Sequence, residues 1–268
     1  MRKLLMVGAA LIVLAVGAAH AADLAVRQPV YRAPAAAAPG FTWTGIYIGG
    51  NGGCGADKKD YVTGFADADP GEPGSAFVFP TSHGGGCFGG GQIGMNYQFS
   101  NWVAGIEADG SWGLIQGSGQ VLEPDPAELE VLGLYEQKLT ALGTVRGRLG
   151  YASTWGTTPF MLYFTGGWAW ARNELTTQAT NAIAGLVPLA VTDTQNHSGW
   201  TIGGGLEVAL APNWSLKGEY LYMDLGSKTY ATSLINDDGA LPAASTGSLN
   251  IKLNTVKVGL NYKFGRSY

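Results

Sequence analysis

Trp102-Val103-Ala104-Gly105-Ile106-Glu107-Ala108-Asp109-Gly110-Ser111-Trp112 alternates without a break. Trp102, Ala104, Ile106, Ala108, Gly110 and Trp112 fall on one side of an extended chain, and Val103, Gly105, Glu107, Asp109 and Ser111 on the other. A period of two belongs to a β-strand, whose successive side chains point to opposite faces, and not to an amphipathic helix. The two tryptophans stand ten residues apart on the apolar side. Ten residues rising about 3.3 Å each, tilted by about 40°, cover about 25 Å, the height of the apolar band of a membrane barrel. Phe160 and Trp170 repeat that spacing, so Trp102, Trp112, Phe160 and Trp170 are expected to form aromatic girdles at the two interfaces.

The same alternation marks eight strands, at 43–53, 87–99, 102–112, 138–151, 159–171, 199–210, 214–226 and 249–264. In 138–151 the apolar side reads Leu139, Val145, Leu149 and Tyr151, against Thr144, Arg146 and Arg148. The connections alternate too. Ser100-Asn101, 152–158 and 211–213 are short, whereas 54–86, 114–137, 172–198 and 227–248 are long. Short turns at one end and long loops at the other are the habit of outer-membrane barrels. A soluble lipocalin-like barrel would place the apolar face inside. The girdle spacing argues against it, as do Gly105, Gly203, Gly205 and Gly259 on the polar face, which suit a narrow interior crowded by long charged side chains. The expected fold is an eight-stranded antiparallel up-and-down transmembrane β-barrel with short periplasmic turns and long extracellular loops.

Composition agrees with a membrane wall. Of 268 residues, 42 are glycine, 46% are apolar and only 13% are charged, about half the usual charged share. Residues 1–21 read as a signal peptide: Arg2 and Lys3, an apolar run from Leu4 to Ala18, then Ala19-His20-Ala21 as a cleavage site. Removing that segment leaves 14 Lys and Arg against 20 Asp and Glu, a charge of −6, which argues against nucleic acid as a partner. Past Ala22 no apolar run is long enough for a membrane helix. Residues 22–42, with Pro29, Pro34, Pro39 and Ala35 to Ala38, form a lead-in, 43–264 the barrel and 265–268 a short tail.

Trp43-Thr44-Gly45-Ile46-Tyr47-Ile48-Gly49, Asn101 to Glu107, Val145 to Tyr151, Tyr163 to Ala169, Gly199 to Glu207 and Glu219 to Asp224, in that order, resemble the porin-like outer-membrane proteins of alphaproteobacteria. Their barrel is similar to the eight-stranded OmpA-type domain. The resemblance implies an abundant integral protein of the Gram-negative outer membrane, with haem binding or solute passage credited to some relatives and no catalytic residue. Lys257-x-Gly259-x-x-Tyr262-x-Phe264 resembles the signal read by the outer-membrane insertion machinery, an expected partner beside membrane lipid and lipopolysaccharide.

On the polar faces Glu107, Asp109, Glu207 and Glu219 meet Arg146, Arg148, Lys217 and Lys257, four carboxylates against four cations. Strand order predicts two groups, Glu107 and Asp109 with Arg146 and Arg148, and Glu207 and Glu219 with Lys217 and Lys257. Paired charges inside a low-dielectric barrel form a plug, because unpaired ones are costly. The expected role is structural, at the cell surface. A narrow channel for small solutes is the alternative, and a haem or ligand receptor a second. Cys54 and Cys87, exported to an oxidising compartment, are expected to bridge the first hairpin. His83 and His197, read as loop residues, lack the arrangement of a serine hydrolase. Paired across loops they would be the ligands if haem bound. The acidic loop residues Asp67, Asp69, Glu72, Glu123, Asp125, Glu128, Glu130, Asp237 and Asp238 read as solvated, the alternative being divalent cations bridging to lipopolysaccharide phosphates. Asp67-x-Asp69 lacks calcium-loop spacing, so no metal site is expected. Neither a catalytic site nor a resident cofactor is expected.

Overall fold

The computed structural model describes residues 41–64, 76–78, 82–123, 131–181, 189–232 and 245–265. The chain divides into two units, 1–38 and 39–268, and every described residue lies in the second. The signal peptide, most of the lead-in, the end of the tail and all the acidic loop residues except Glu123 therefore lie outside the described residues. Nine strands occur among those described: β1 (Gly45–Gly64), β2 (Ala76–Val78), β3 (Ser82–Phe99), β4 (Trp102–Glu123), β5 (Val131–Trp155), β6 (Thr158–Asn181), β7 (Leu189–Ala211), β8 (Trp214–Thr232) and β9 (Ser245–Phe264).

Eight of them close a ring, each antiparallel to the next, with β9 returning to β1. The short β2, which alternation does not reveal, only extends β1 at Val62 to Gly64. Register measures the shear of this barrel. Cross-strand partners followed round from Trp112 run through Gly89, Gly52, Val258, Gly218, Leu206, Leu162 and Tyr151, and arrive at Trp102, ten residues lower on the starting strand. Such stagger over eight strands tilts them by about 40–45° and leaves an interior that side chains fill.

The strands are far longer than the alternating stretches. A membrane crossing takes about 9–11 residues, yet β4 to β7 run for 22 to 25. The stretches 54–86, 114–137, 172–198 and 227–248, read from sequence as long loops, are therefore strand at both ends, and the wall continues well beyond the membrane. There the pattern inverts. Along β9, Val256, Val258, Leu260, Tyr262 and Phe264 face outward while Lys257 and Asn261 are buried inside. Past Thr255 the apolar residues Leu249, Ile251 and Leu253 point inward instead, and Asn250, Lys252 and Asn254 point out. Water and lipid have exchanged places on the outer surface, so the apolar side changes with them.

Two strands also change phase physically. Between Trp112 and Ile115 on β4 and Leu139 and Ala141 on β5 the register slips, as it does against β6. A bulge puts one extra residue into a strand and turns the following side chains to the other face. Leu139, read from sequence as sharing the outer face of Val145, Leu149 and Tyr151, is instead fully buried inside. A further bulge on β8, between Asp224 and Ser227, is turned by Gly226 at a φ of +67°, a conformation glycine adopts without steric cost.

The barrel interior therefore has layers. Trp43, Val103, Ala152, Met161 and Tyr163 close the periplasmic mouth, with Phe41 packed against them. Trp43 is thus an inward plug rather than the first residue of the wall, which begins at Gly45. Its amide donates to Gln98 Oε1 at 2.8 Å, and Lys263 reaches across to the Thr42 carbonyl. The beyond-membrane half is filled by Ile115, Leu139, Leu175, Met223, Leu249, Ile251 and Leu253 among others. Each such side chain, fully buried, contributes about 1.5–3 kcal/mol.

On the outer surface Trp102 and Trp112 are exposed, and Phe160 and Trp170 half-buried. Trp170 lies over Gly143, where an added Cβ would come within 2.6 Å of its indole nitrogen. Tyr151, Trp214, Tyr262 and Phe264 complete the periplasmic ring, and Trp168 and Trp200 the outer one.

Cys54 and Cys87 are direct cross-strand partners on the outer face of β1 and β3 and are bonded to each other at a sequence separation of 33. They join two strands of the wall rather than spanning a loop. Closing a loop of that length stabilises by about 3–4 kcal/mol through the unfolded chain. Reduction, or Cys54→Ser with Cys87→Ser, is predicted to lower the unfolding free energy in detergent by about that amount. A urea midpoint unmoved by reductant would show that the constraint is worth nothing.

Candidate functional site: the charged lumen

Between the two apolar layers lies the polar one, built by the inward positions of β4 to β9. Glu107, Asp109, Arg146, Arg148, Glu207, Lys217, Glu219 and Lys257 are all brought there and all are buried. Arg146 Nη2 donates to Glu107 Oε1 at 2.7 Å and to Asp109 Oδ2 at 2.8 Å, while its Nη1 lies 2.9 Å from Glu219 Oε1. Arg148 donates to Glu207 Oε2 at 2.7 Å and lies 3.4 Å from Glu107. Lys217 donates to both oxygens of Glu107, at 2.7 and 2.8 Å, and Lys257 to Asp109 Oδ1 at 2.9 Å.

These contacts correct the two-group expectation. Lys217 is the direct cross-strand neighbour of Glu207, yet it reaches across the lumen to Glu107. Lys257, beside Glu219 in register and 3.9 Å from its Oε1, comes closer to Asp109 on the far wall. Chain neighbours in a barrel stand on one wall, and a lysine on a short radius meets the opposite wall sooner than its neighbour's carboxylate. The eight charges thus make one network across the bore.

Sequence reasoning missed the aromatic hydroxyls within it. Tyr47 donates to Glu107 Oε2 at 2.7 Å and accepts from Arg148 Nη1 at 2.8 Å. Tyr163 donates to Glu219 Oε2 at 2.9 Å, and the Arg148 guanidinium stacks 4.1 Å above its ring. Parity held the signal for Tyr47, flanked as it is by the outward Ile46 and Ile48. Ser215 and Asn261 donate to the remaining oxygen of Glu207, at 2.6 and 3.0 Å. Glycine makes room for this density: a Cβ on Gly259 would fall 2.8 Å from Gln92 Nε2 and 3.0 Å from the Lys217 stem. Of the insertion-signal residues, Lys257 and Gly259 face the lumen and Tyr262 and Phe264 face outward.

The two histidines do not converge. His83 lies on β3, exposed, and His197 on β7, fully buried inside, with β4, β5 and β6 between them on one side of the ring. Neither is in a loop. His197 Nε2 is 2.7 Å from the Tyr230 hydroxyl, which accepts from Asn173 Nδ2 at 2.7 Å, so the hydroxyl proton goes to His197. This clasp lies where the wall is open. Among the described residues β7 pairs with β8 only up to Trp200 and Asp224, and His197 to Tyr230 bridges the gap beyond.

Burial pushes His197 below its ordinary value of 6.5, with Lys228 acting in the same direction and the backbone at Leu225 and Gly226 opposing. Burial pushes the Tyr230 hydroxyl up to about 12, so it keeps its proton. Below about pH 6.5 the unfolded chain takes up a proton that folded His197 resists. Stability is therefore present above that pH and lost as pH falls through it. The protection of β7 and β8 amides beyond the membrane, relative to their intrinsic exchange rate at each pH, should fall between pH 7.5 and 5, and His197→Gln should remove that fall. Equal protection at both pH values in the wild type would show that the clasp does not titrate.

A closed antiparallel ring with an apolar outer belt, two aromatic girdles and a salt-bridged bore defines an outer-membrane β-barrel protein. The chain belongs to the outer membrane protein beta-barrel domain family, whose model matches residues 9–264. It is 37% identical over 248 residues to the 31 kDa outer-membrane immunogenic protein of Brucella melitensis, covering 92% of this chain and 93% of that protein. It is 29% identical to the 25 kDa outer-membrane immunogenic protein of Brucella abortus, over 98% and 99% of the two chains. Among solved structures it is similar to the outer membrane protein OprG of Pseudomonas aeruginosa, at 13% identity and a TM-score of 0.42, covering 84% of this chain and 99% of that one. Its place is the outer membrane.

Proposed function

We propose that the protein is a sealed structural barrel that occupies the outer membrane and presents its tall hairpins at the surface, without catalysis. The observation that carries this reading is the single charge network, which ties β4, β5, β7, β8 and β9 together across the bore with every charged side chain no more than 3% exposed. Apolar layers lie on both sides of it, so a solute would have to displace Trp43 at one mouth and the Leu and Ile core at the other. An eight-stranded interior is just wide enough for side chains to fill it. The positions of His83 and His197, one outside and one inside, favour neither a haem clamp nor a hydrolase.

Planar-bilayer recording of refolded protein tests the reading, once a gel shift between heated and unheated samples shows a folded barrel. Folded protein is expected to be silent. Reproducible conductance steps that change when Arg146 or Glu219 is neutralised would make the protein a channel and remove the plug.

A further inference from the structure

Lysines and arginines of the membrane-spanning wall, Arg146, Arg148, Lys217, Lys257 and Lys263, point inward. Just past the outer aromatic ring the cations turn outward. Arg172 lies two residues beyond Trp170 on the same face of β6, Lys252 four beyond Val256 on β9, and Lys58 four beyond Cys54 on β1. Lys138 on β5 lies past the bulge and pairs with Glu136 at 3.2 Å. With the shear lifting each strand by about one residue relative to the next, these four stand at one height, where headgroups meet the wall.

Lys58 and Lys252 are direct cross-strand partners, side by side on the outer surface. Like charges placed opposite each other destabilise a strand pair. Among the side chains that the structure describes, none places a carboxylate within 4.0 Å of either ammonium. Asp224 stands opposite Lys252 on β8, but its Oδ1 accepts from the Gly226 amide at 3.1 Å instead. On the other side of Lys58 stands exposed His83. Below the pair, on the lipid side, Ala56, Cys54 and Gly52 of β1 face out between Val256 and Val258 on one flank and Trp112 of β4 on the other. The backbone there tolerates side chains: a Cβ on Gly52 or Gly89 would meet nothing nearer than 3.8 and 3.6 Å.

We infer that Lys58 and Lys252 together bind a phosphate of an outer-leaflet glycolipid, whose acyl chains run down the smooth wall beneath them. Two adjacent ammonium groups at headgroup height complement a phosphate monoester, which carries more than one negative charge and accepts from both. The bound phosphate turns the repulsion across β1 and β9 into a bridge. An exposed carboxylate-bearing partner has no such fit, because the site lies directly on the apolar belt.

The test is native mass spectrometry of the refolded full-length barrel in detergent, titrated with bisphosphorylated lipid A, with lipid A stripped of phosphate, and with inorganic phosphate. Wild type should bind the bisphosphorylated form at least about tenfold more tightly than the stripped form, and added salt should weaken binding. Lys58→Gln with Lys252→Gln should abolish that preference while leaving the gel shift of the lipid-free barrel intact. Lipid-free, the double variant should withstand urea at least as well as wild type, since a repulsion is removed. Lys138→Gln with Arg172→Gln, on the opposite wall, should retain the preference. An unchanged preference in the Lys58 and Lys252 variant, or an equal loss in the opposite-wall variant, overturns the site. Inorganic phosphate competing at concentrations comparable to the lipid would make it a free-anion site and overturn the glycolipid.

Discussion

Glu107→Gln is expected to be the most damaging isosteric change in the bore, lowering unfolding free energy by about 3–5 kcal/mol. Glu107 accepts from Arg146, Arg148, Lys217 and Tyr47 at once. Removing its charge leaves three buried cations sharing one fewer counter-charge, and the cost of an uncompensated buried ion exceeds what the pair gained by forming. The measurement is the urea midpoint in detergent by tryptophan fluorescence. Adding Lys217→Met to the first change should recover part of the loss, since an ammonium without its acceptor is removed too, and the coupling between the two sites should be large. Wild-type midpoints for both Glu107→Gln and Arg146→Met would deny the network any part in holding the wall.

A lysine scan along β9 is the second large effect. Ile251→Lys buries an ammonium in the apolar layer beyond the membrane, where Ile251 has no exposure, and is expected to unfold that half of the barrel at about 4 kcal/mol or more. Val258→Lys meets lipid near the middle of the membrane and should cost about 2–4 kcal/mol. Asn254→Lys, outward and at the interface, should cost about 0–1 kcal/mol. Urea midpoints in lipid vesicles read all three. A cost at Asn254 matching that at Val258 would move the membrane boundary outward and contradict the inversion of pattern past Thr255.

Much of the wall was legible because alternation is a local property. In Trp102 to Trp112, one face is apolar over the height of a bilayer, and no neighbour is needed to say so. Lumen residues followed from the same parity: once Ile106 and Ala108 face lipid, Glu107 and Asp109 face the bore. The continuation of the strands past the membrane was harder to see. In β9 the chain passes from Leu249-Asn250-Ile251-Lys252-Leu253 to Val256-Lys257-Val258 with the same period but the opposite sense. A reading that assigns every apolar face to lipid stops there or misplaces it. Leu139 was misplaced for another reason, since the bulge beside it is a property of three strands in register and leaves no mark in one.

By itself, then, the sequence determined that the chain is a membrane barrel, which residues line its bore and which meet lipid over the crossing, because the period of side-chain direction and the span of a bilayer are both set within single strands. Tertiary structure alone decided which charge meets which. Lys217 passes over its neighbour Glu207 to reach Glu107, and Lys58 comes to stand beside Lys252, because distance across a closed ring depends on shear and radius. Those quantities belong to eight strands together and to none of them singly.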